Sequence, residues 1–128
     1  MNTIKTLTFL LVSALIFSWI GWEHFISGER PTSEFSSYEE VKTSGFIEKG
    51  WIPPFIPESS FNIKEQHDLD SNTVTMSFQY NVNDKEKTRS SCYLEKGIDN
   101  GIEFKCIYQA SDVTIRLFNN GMATLSSH

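Results

Sequence analysis

The clearest alternation of apolar and polar side chains runs through Val74-Thr-Met-Ser-Phe-Gln-Tyr80. A period of two places Val74, Met76, Phe78 and Tyr80 on one face, so it predicts a half-buried strand. Asn62 to Asp68 is the expected partner of a hairpin turned at Asp70-Ser-Asn72. Three more strands are predicted at Ile102–Gln109, Val113–Phe118 and Met122–Ser126, joined at Ala110-Ser-Asp112 and Asn119-Asn-Gly121. The second joint is a hairpin signal, because Asn-Gly tolerates positive φ. Ser37-Tyr-Glu-Glu40 has capping-box spacing and Gly45 stops what it starts, which predicts a short helix from Tyr38 to Ser44 with Glu39 and Glu40 at the positive end of its dipole. Asn81 to Ser91 is polar and reads as a loop with one helical turn.

Gly50-Trp-Ile-Pro-Pro-Phe-Ile-Pro57 is neither helix interior nor central strand, since its three prolines fix φ and remove donors. It is expected as an ordered extended loop whose Trp51, Ile52, Phe55 and Ile56 close over a core, with Trp51 mostly buried. The competing reading is a proline-and-aromatic recognition surface.

A different pattern occupies the start. Leu7 to Trp22 carries no charge, and only hydroxyls and a glycine interrupt its apolar side chains. Crossing ~30 Å of hydrocarbon takes ~20 residues, which the run from Ile4 to Trp22 approaches. Trp19, Trp22 and Phe25 gather at its far end, as interfacial aromatics do, and Lys5 precedes it, placing the N-terminus in the cytoplasm by the positive-inside rule. A cleaved signal peptide would want small residues before the cut, where this chain has Phe17-Ser-Trp-Ile-Gly-Trp22. The expected organisation is a transmembrane anchor or uncleaved signal at 1–26, a Gly/Pro/Ser-rich tether at 27–34 and an exported domain at 35–128. The fold class is α+β: an N-terminal transmembrane helix, then a small domain with a mainly antiparallel sheet and one short helix.

Composition narrows the function. The 128 residues allow one small domain, and 16 acidic against 11 basic residues leave no basic face for nucleic acid. With 39% apolar residues a packed core is within reach. Cys92 and Cys106 are an even pair in an exported chain, a candidate disulfide worth ~3 kcal/mol by loop entropy, with two buried thiols as the alternative.

Glu65-Gln-His67-Asp68-Leu-Asp70-Ser-Asn72 is the one stretch that concentrates chemistry. Asp68-x-Asp70-x-Asn72 copies half of an EF-hand loop, but Thr73 stands where the sharp-turn glycine belongs and Gln79 where a bidentate Glu belongs, so turn chemistry is expected rather than calcium. His67 beside a carboxylate could serve as a general base, yet no nucleophile is visible. His24 and His128 are not placed to help, and Ser59-Ser60 and Ser90-Ser91 lack a nucleophile-elbow setting. With no phosphate-binding or dinucleotide motif either, no catalytic, cofactor-binding or metal-ligating residue is assigned and no enzyme is expected.

Gly50-Trp-Ile-Pro53, Ile56-Pro-Glu-Ser59, Ile63 and His67-Asp-Leu-Asp-Ser-Asn72 together resemble small bacterial membrane-anchored or secreted proteins of the YbbD-like kind. The resemblance implies a compartment and a fold type and transfers no active-site residues. The expected function is a non-enzymatic interaction or accessory domain tethered to the bacterial inner membrane, with the domain periplasmic and an unknown protein partner. An immunity-type antagonist of a toxin is the alternative, and a metal-dependent hydrolase centred on His67 is a further one.

Overall fold

The computed structural model describes residues 30–128, so the apolar segment and its expected anchor lie outside the described residues. Among those described, no helix is long and apolar enough to cross a membrane.

Seven strands form one antiparallel sheet. In chain order the elements are β1 (Thr32–Ser37), α1 (Tyr38–Ser44), β2 (Phe61–Asp68), β3 (Thr73–Gln79), α2 (Glu86–Ser91), β4 (Leu94–Ile98), β5 (Gly101–Tyr108), β6 (Ser111–Phe118) and β7 (Met122–Ser127). In space the order is β1-β2-β3-β7-β6-β5-β4, so the C-terminal strand lies between two three-stranded meanders.

The helix α1 forms where the capping residues place it. Ser37 Oγ accepts from the Glu40 backbone N–H at 3.3 Å, while Glu40 Oε2 reaches back to accept from the Ser36 N–H at 2.6 Å. Gly45 ends the helix at φ 82°, a left-handed conformation that suits a residue without Cβ. Tyr38 and Val41 are its buried residues.

Alternation then sorts the sheet's two faces. Ile63, Met76, Phe78, Phe104, Ile115, Leu117 and Leu125 are buried on one face. Ile52, Phe55 and Ile56 join the same core, so the proline-rich segment closes over it. Thr88 of α2 is fully buried and donates to the Phe55 carbonyl at 2.8 Å, fastening that helix to the loop. The opposite face carries Lys64, Thr75, Ser77, Thr124 and Arg116, as expected of an antiparallel sheet with one wet side.

Three features differ from expectation. The sheet begins at Thr32, so Thr32–Glu34, placed in the tether, pair with Gln66, Glu65 and Lys64. Leu94–Ile98 is a further strand, paired with β5, and the helical turn in Asn81–Ser91 is a second short helix. Both unexpected strands are sheet edges, where backbone pairing and charged side chains need no apolar alternation.

Cys92 and Cys106 are joined by a disulfide, with Cα atoms 4.3 Å apart. The bond ties the end of α2 to the buried side of β5.

Candidate functional site

Residues 63, 65 and 67 share a face of β2, because side chains two apart on a strand point the same way. That face is the core, so Glu65 and His67 are buried beside Ile63, with Glu65 wholly inaccessible. His67 Nδ1 and Glu65 Oε1 are 2.9 Å apart. Glu65 Oε2 is the sole sealed side-chain polar atom without a hydrogen-bond partner among the described residues. Burial pushes the Glu65 carboxyl above its ordinary range, and the His67 contact partly offsets this.

Trp51 covers this pair. Its indole stacks on the His67 ring at 4.1 Å between centroids and 22° between planes. Phe46 meets Trp51 edge-on at 4.9 Å, and Lys49 Nζ lies 4.7 Å from the indole centroid. Trp51 is half-buried rather than mostly buried, because it walls a cleft as well as covering the His67 ring. Its neighbours Ile52, Phe55 and Ile56 are the loop residues that enter the core.

The cleft has a volume of about 100 Å³. Trp51, Val74, Tyr108 and Leu125 supply apolar wall, while Lys49, His67, Gln109 and Ser111 supply polar groups. Its far side is the β5–β6 turn, where Gln109 (φ 49°) and Ala110 (φ 65°) both hold left-handed backbone without being glycine. Gly50, at φ 77°, faces this turn so closely that a methyl group there would overlap the Gln109 amide.

Asp68 also borders the cleft, but its acceptor capacity is engaged. It accepts from the backbone N–H groups of Asp70 (3.0 Å) and Ser71 (3.2 Å) and from Arg30 Nε (3.0 Å). The Ser71 N–H is foremost in holding its carboxyl below the usual range. Asp68-x-Asp70-x-Asn72 thus folds as the β2–β3 turn, with Asn72 at φ 53°. Among the described residues no three His, Cys, Asp or Glu side chains converge as a metal site.

The hydroxyls considered as nucleophiles serve the fold. Ser60 Oγ donates to the Pro57 carbonyl, Ser59 Oγ accepts from the Asn81 N–H, and the Ser90 and Ser91 hydroxyls donate to the Lys87 carbonyl. His128 is at the chain end, where its backbone N–H bonds the Asp112 carbonyl, and His24 lies outside the described residues. Sequence reasoning singled out Trp51 and His67 but missed Lys49, two residues before Trp51, and Tyr108 and Gln109, which topology alone brings to them.

Fold and site together define a small antiparallel-sheet domain, closed by a disulfide, with a buried carboxylate–imidazole pair at the base of a narrow cleft. Residues 29–79 match the family described as the YbbD head domain, so over this stretch, through the end of β3, the protein is YbbD-like. Lys49, Trp51, Glu65 and His67 fall inside the match, and the β5–β6 wall falls outside it. No curated protein and no solved structure matches the chain.

Proposed function

We propose that this protein is a membrane-tethered, non-enzymatic interaction domain of the bacterial envelope, and that the Trp51–His67 cleft is where it grips its partner. The size of the cleft carries the reading. About 100 Å³ is well below the roughly 300–1,000 Å³ of sites that enclose a substrate or cofactor, but it suits one protruding group of a larger molecule. The uncharged run from Leu7 to Trp22, flanked by Lys5 and by Trp19, Trp22 and Phe25, supports the tether. The disulfide supports an oxidising compartment.

The test uses the full-length protein in cells, with a photo-crosslinking residue at Leu69, an exposed position on the cleft rim, or at Thr75 on the opposite sheet face. The expected result is a discrete adduct from position 69 alone, in membranes that keep the protein through an alkaline carbonate wash. Release by the wash would refute the tether. Equal adducts from both positions would refute the cleft as the recognition site.

A further inference from the structure

The cleft contains a hydrogen-bond donor whose protonation follows from the geometry around it. His67 uses Nδ1 toward Glu65, and Nε2 has no partner among the described residues. Nε2 is not a sealed atom, and His67 lines the cleft, so the Nε2 edge reaches solvent through it. The pair behind it is buried, and a net charge there would be costly to desolvate. Two arrangements carry no net charge and keep every buried proton in a hydrogen bond, since a proton on the sealed Glu65 Oε2 would have no acceptor. In one, an ionised Glu65 faces an imidazolium. In the other, a protonated Glu65 donates to Nδ1 of a neutral imidazole. Both leave a hydrogen on Nε2, because the single proton of the Nδ1–Oε1 bridge accounts for the rest. Ionised Glu65 with neutral His67 would leave a buried negative charge with one oxygen unbonded, and protonated Glu65 with an imidazolium a buried positive charge. His67 therefore presents an N–H to the cleft.

The other polar groups point to the same kind of guest. Lys49 brings a positive charge to the rim. The negative charge of Asp68 is already met by Arg30 and two backbone N–H groups. Gln109 and Ser111 have further donors to offer. Between these groups and the core lie Trp51, Val74, Tyr108 and Leu125, which favour carbon over water. Resting on the interaction reading above, we propose that the cleft binds a carboxylate borne on a short apolar stem, with His67 Nε2–H and Lys49 as its receiving groups. Such a group comes from a free small acid or from a carboxyl group of a peptide.

The experiment follows the Trp51 indole N–H and the His67 Cε1–H by NMR in the full-length chain held in lipid nanodiscs. Propionate, propionamide and inorganic phosphate are titrated separately at pH 7. A short peptide with a free C-terminus and its amidated form are the arms that distinguish the sources. Propionate should shift both resonances saturably, and propionamide should bind at least tenfold more weakly. Lys49→Gln, at an exposed position, should weaken propionate about threefold to tenfold while lowering the melting temperature by no more than the few degrees that its contact with the Trp51 ring accounts for. His67→Phe should abolish binding while keeping a ring against Trp51. Should stranded Glu65 unfold that variant, the propionate–propionamide comparison on the native chain decides alone.

Tighter binding of the free-ended peptide than of propionate assigns the carboxylate to a chain end, and the reverse assigns it to a small acid. Equal binding of acid and amide, or preference for phosphate, overturns the carboxylate. If no probe moves either resonance while the Leu69 adduct persists, the carboxylate falls and the interaction reading stands. If the adduct is lost as well, both fall.

Discussion

Removing the Trp51 side chain separates a core residue from a cleft wall. The indole has three partners: His67 stacked at 4.1 Å, Phe46 edge-on at 4.9 Å, and Lys49 above it at 4.7 Å. Aromatic pairs are worth about 0.5–1.5 kcal/mol each beyond area, and an exposed cation–π contact about 0.5–1. Because the residue is only half-buried, Trp51→Ala is expected to cost about 2–3 kcal/mol, below the ~3–5 typical of a fully buried Trp. For a domain of this size each kcal/mol moves the melting temperature by roughly 4–8 °C, so a fall of about 10–20 °C is expected. Scanning calorimetry or urea unfolding of the full chain measures it, with Ile56→Ala, a wholly buried neighbour, as the core benchmark. Trp51→Phe should recover much of the loss by restoring a ring against His67. A loss larger than that of Ile56→Ala would make Trp51 core and refute the wall. No loss at all would mean that the stack on His67 contributes nothing.

Replacing Cys92 and Cys106 together by Ala should destabilise by about 3 kcal/mol, since the bond spans a sequence separation of 14, and dithiothreitol should lower the melting temperature of the native chain in the same way. Ala110→Gly should stabilise by about 1 kcal/mol in urea, because it relieves left-handed backbone at φ 65°; an unchanged midpoint would deny that strain. Burial raises the Glu65 carboxyl, so the group binds its proton more tightly folded than unfolded. Its contribution is complete below the unfolded value of about 4.3 and is lost as pH rises through the folded one, so Glu65→Gln should flatten the fall in urea midpoint as pH is raised above about 4.3. Curves parallel to the native protein's would count against this. Asp68, Glu95 and Glu103, all lowered, act in the opposite sense and weaken the fold as pH drops below about 4.

Strands that turn one apolar face to the core were legible, and Val74, Met76 and Phe78 specify β3 without help from the rest of the chain. β1 contributes a single buried residue, Phe35, and β4 none, so neither carries a period to detect. Both exist because β2 and β5 offer them backbone partners. Spacing alone put Glu65 and His67 on one face, but charged residues ordinarily mark a wet face, and only Ile63 two positions earlier hinted otherwise. The expectation of a buried Trp51 failed because the indole borders a space that β5 and β6 create from more than fifty residues away. That turn was expected at Ala110-Ser-Asp112. It falls one residue earlier, set by the pairing of Tyr108 with Ser111, and Gln109-Ala110 has no composition that announces left-handed backbone.

The placement of β7 sets the order in which the molecule can be completed. β1–β3 and β4–β6 each zip up from neighbours in sequence, but among the described residues their only strand-to-strand connection is the six-residue strand β7, paired to Phe78 and its neighbours on one side and to Ile115 and its neighbours on the other. Until Met122–Ser127 is free to pair, the chain holds two separate ribbons, each with a naked inner edge. A stop codon at Met122 would therefore do more than shorten the protein: it would leave two adhesive edges in the middle of the sheet, and aggregation rather than a smaller domain is the outcome to expect.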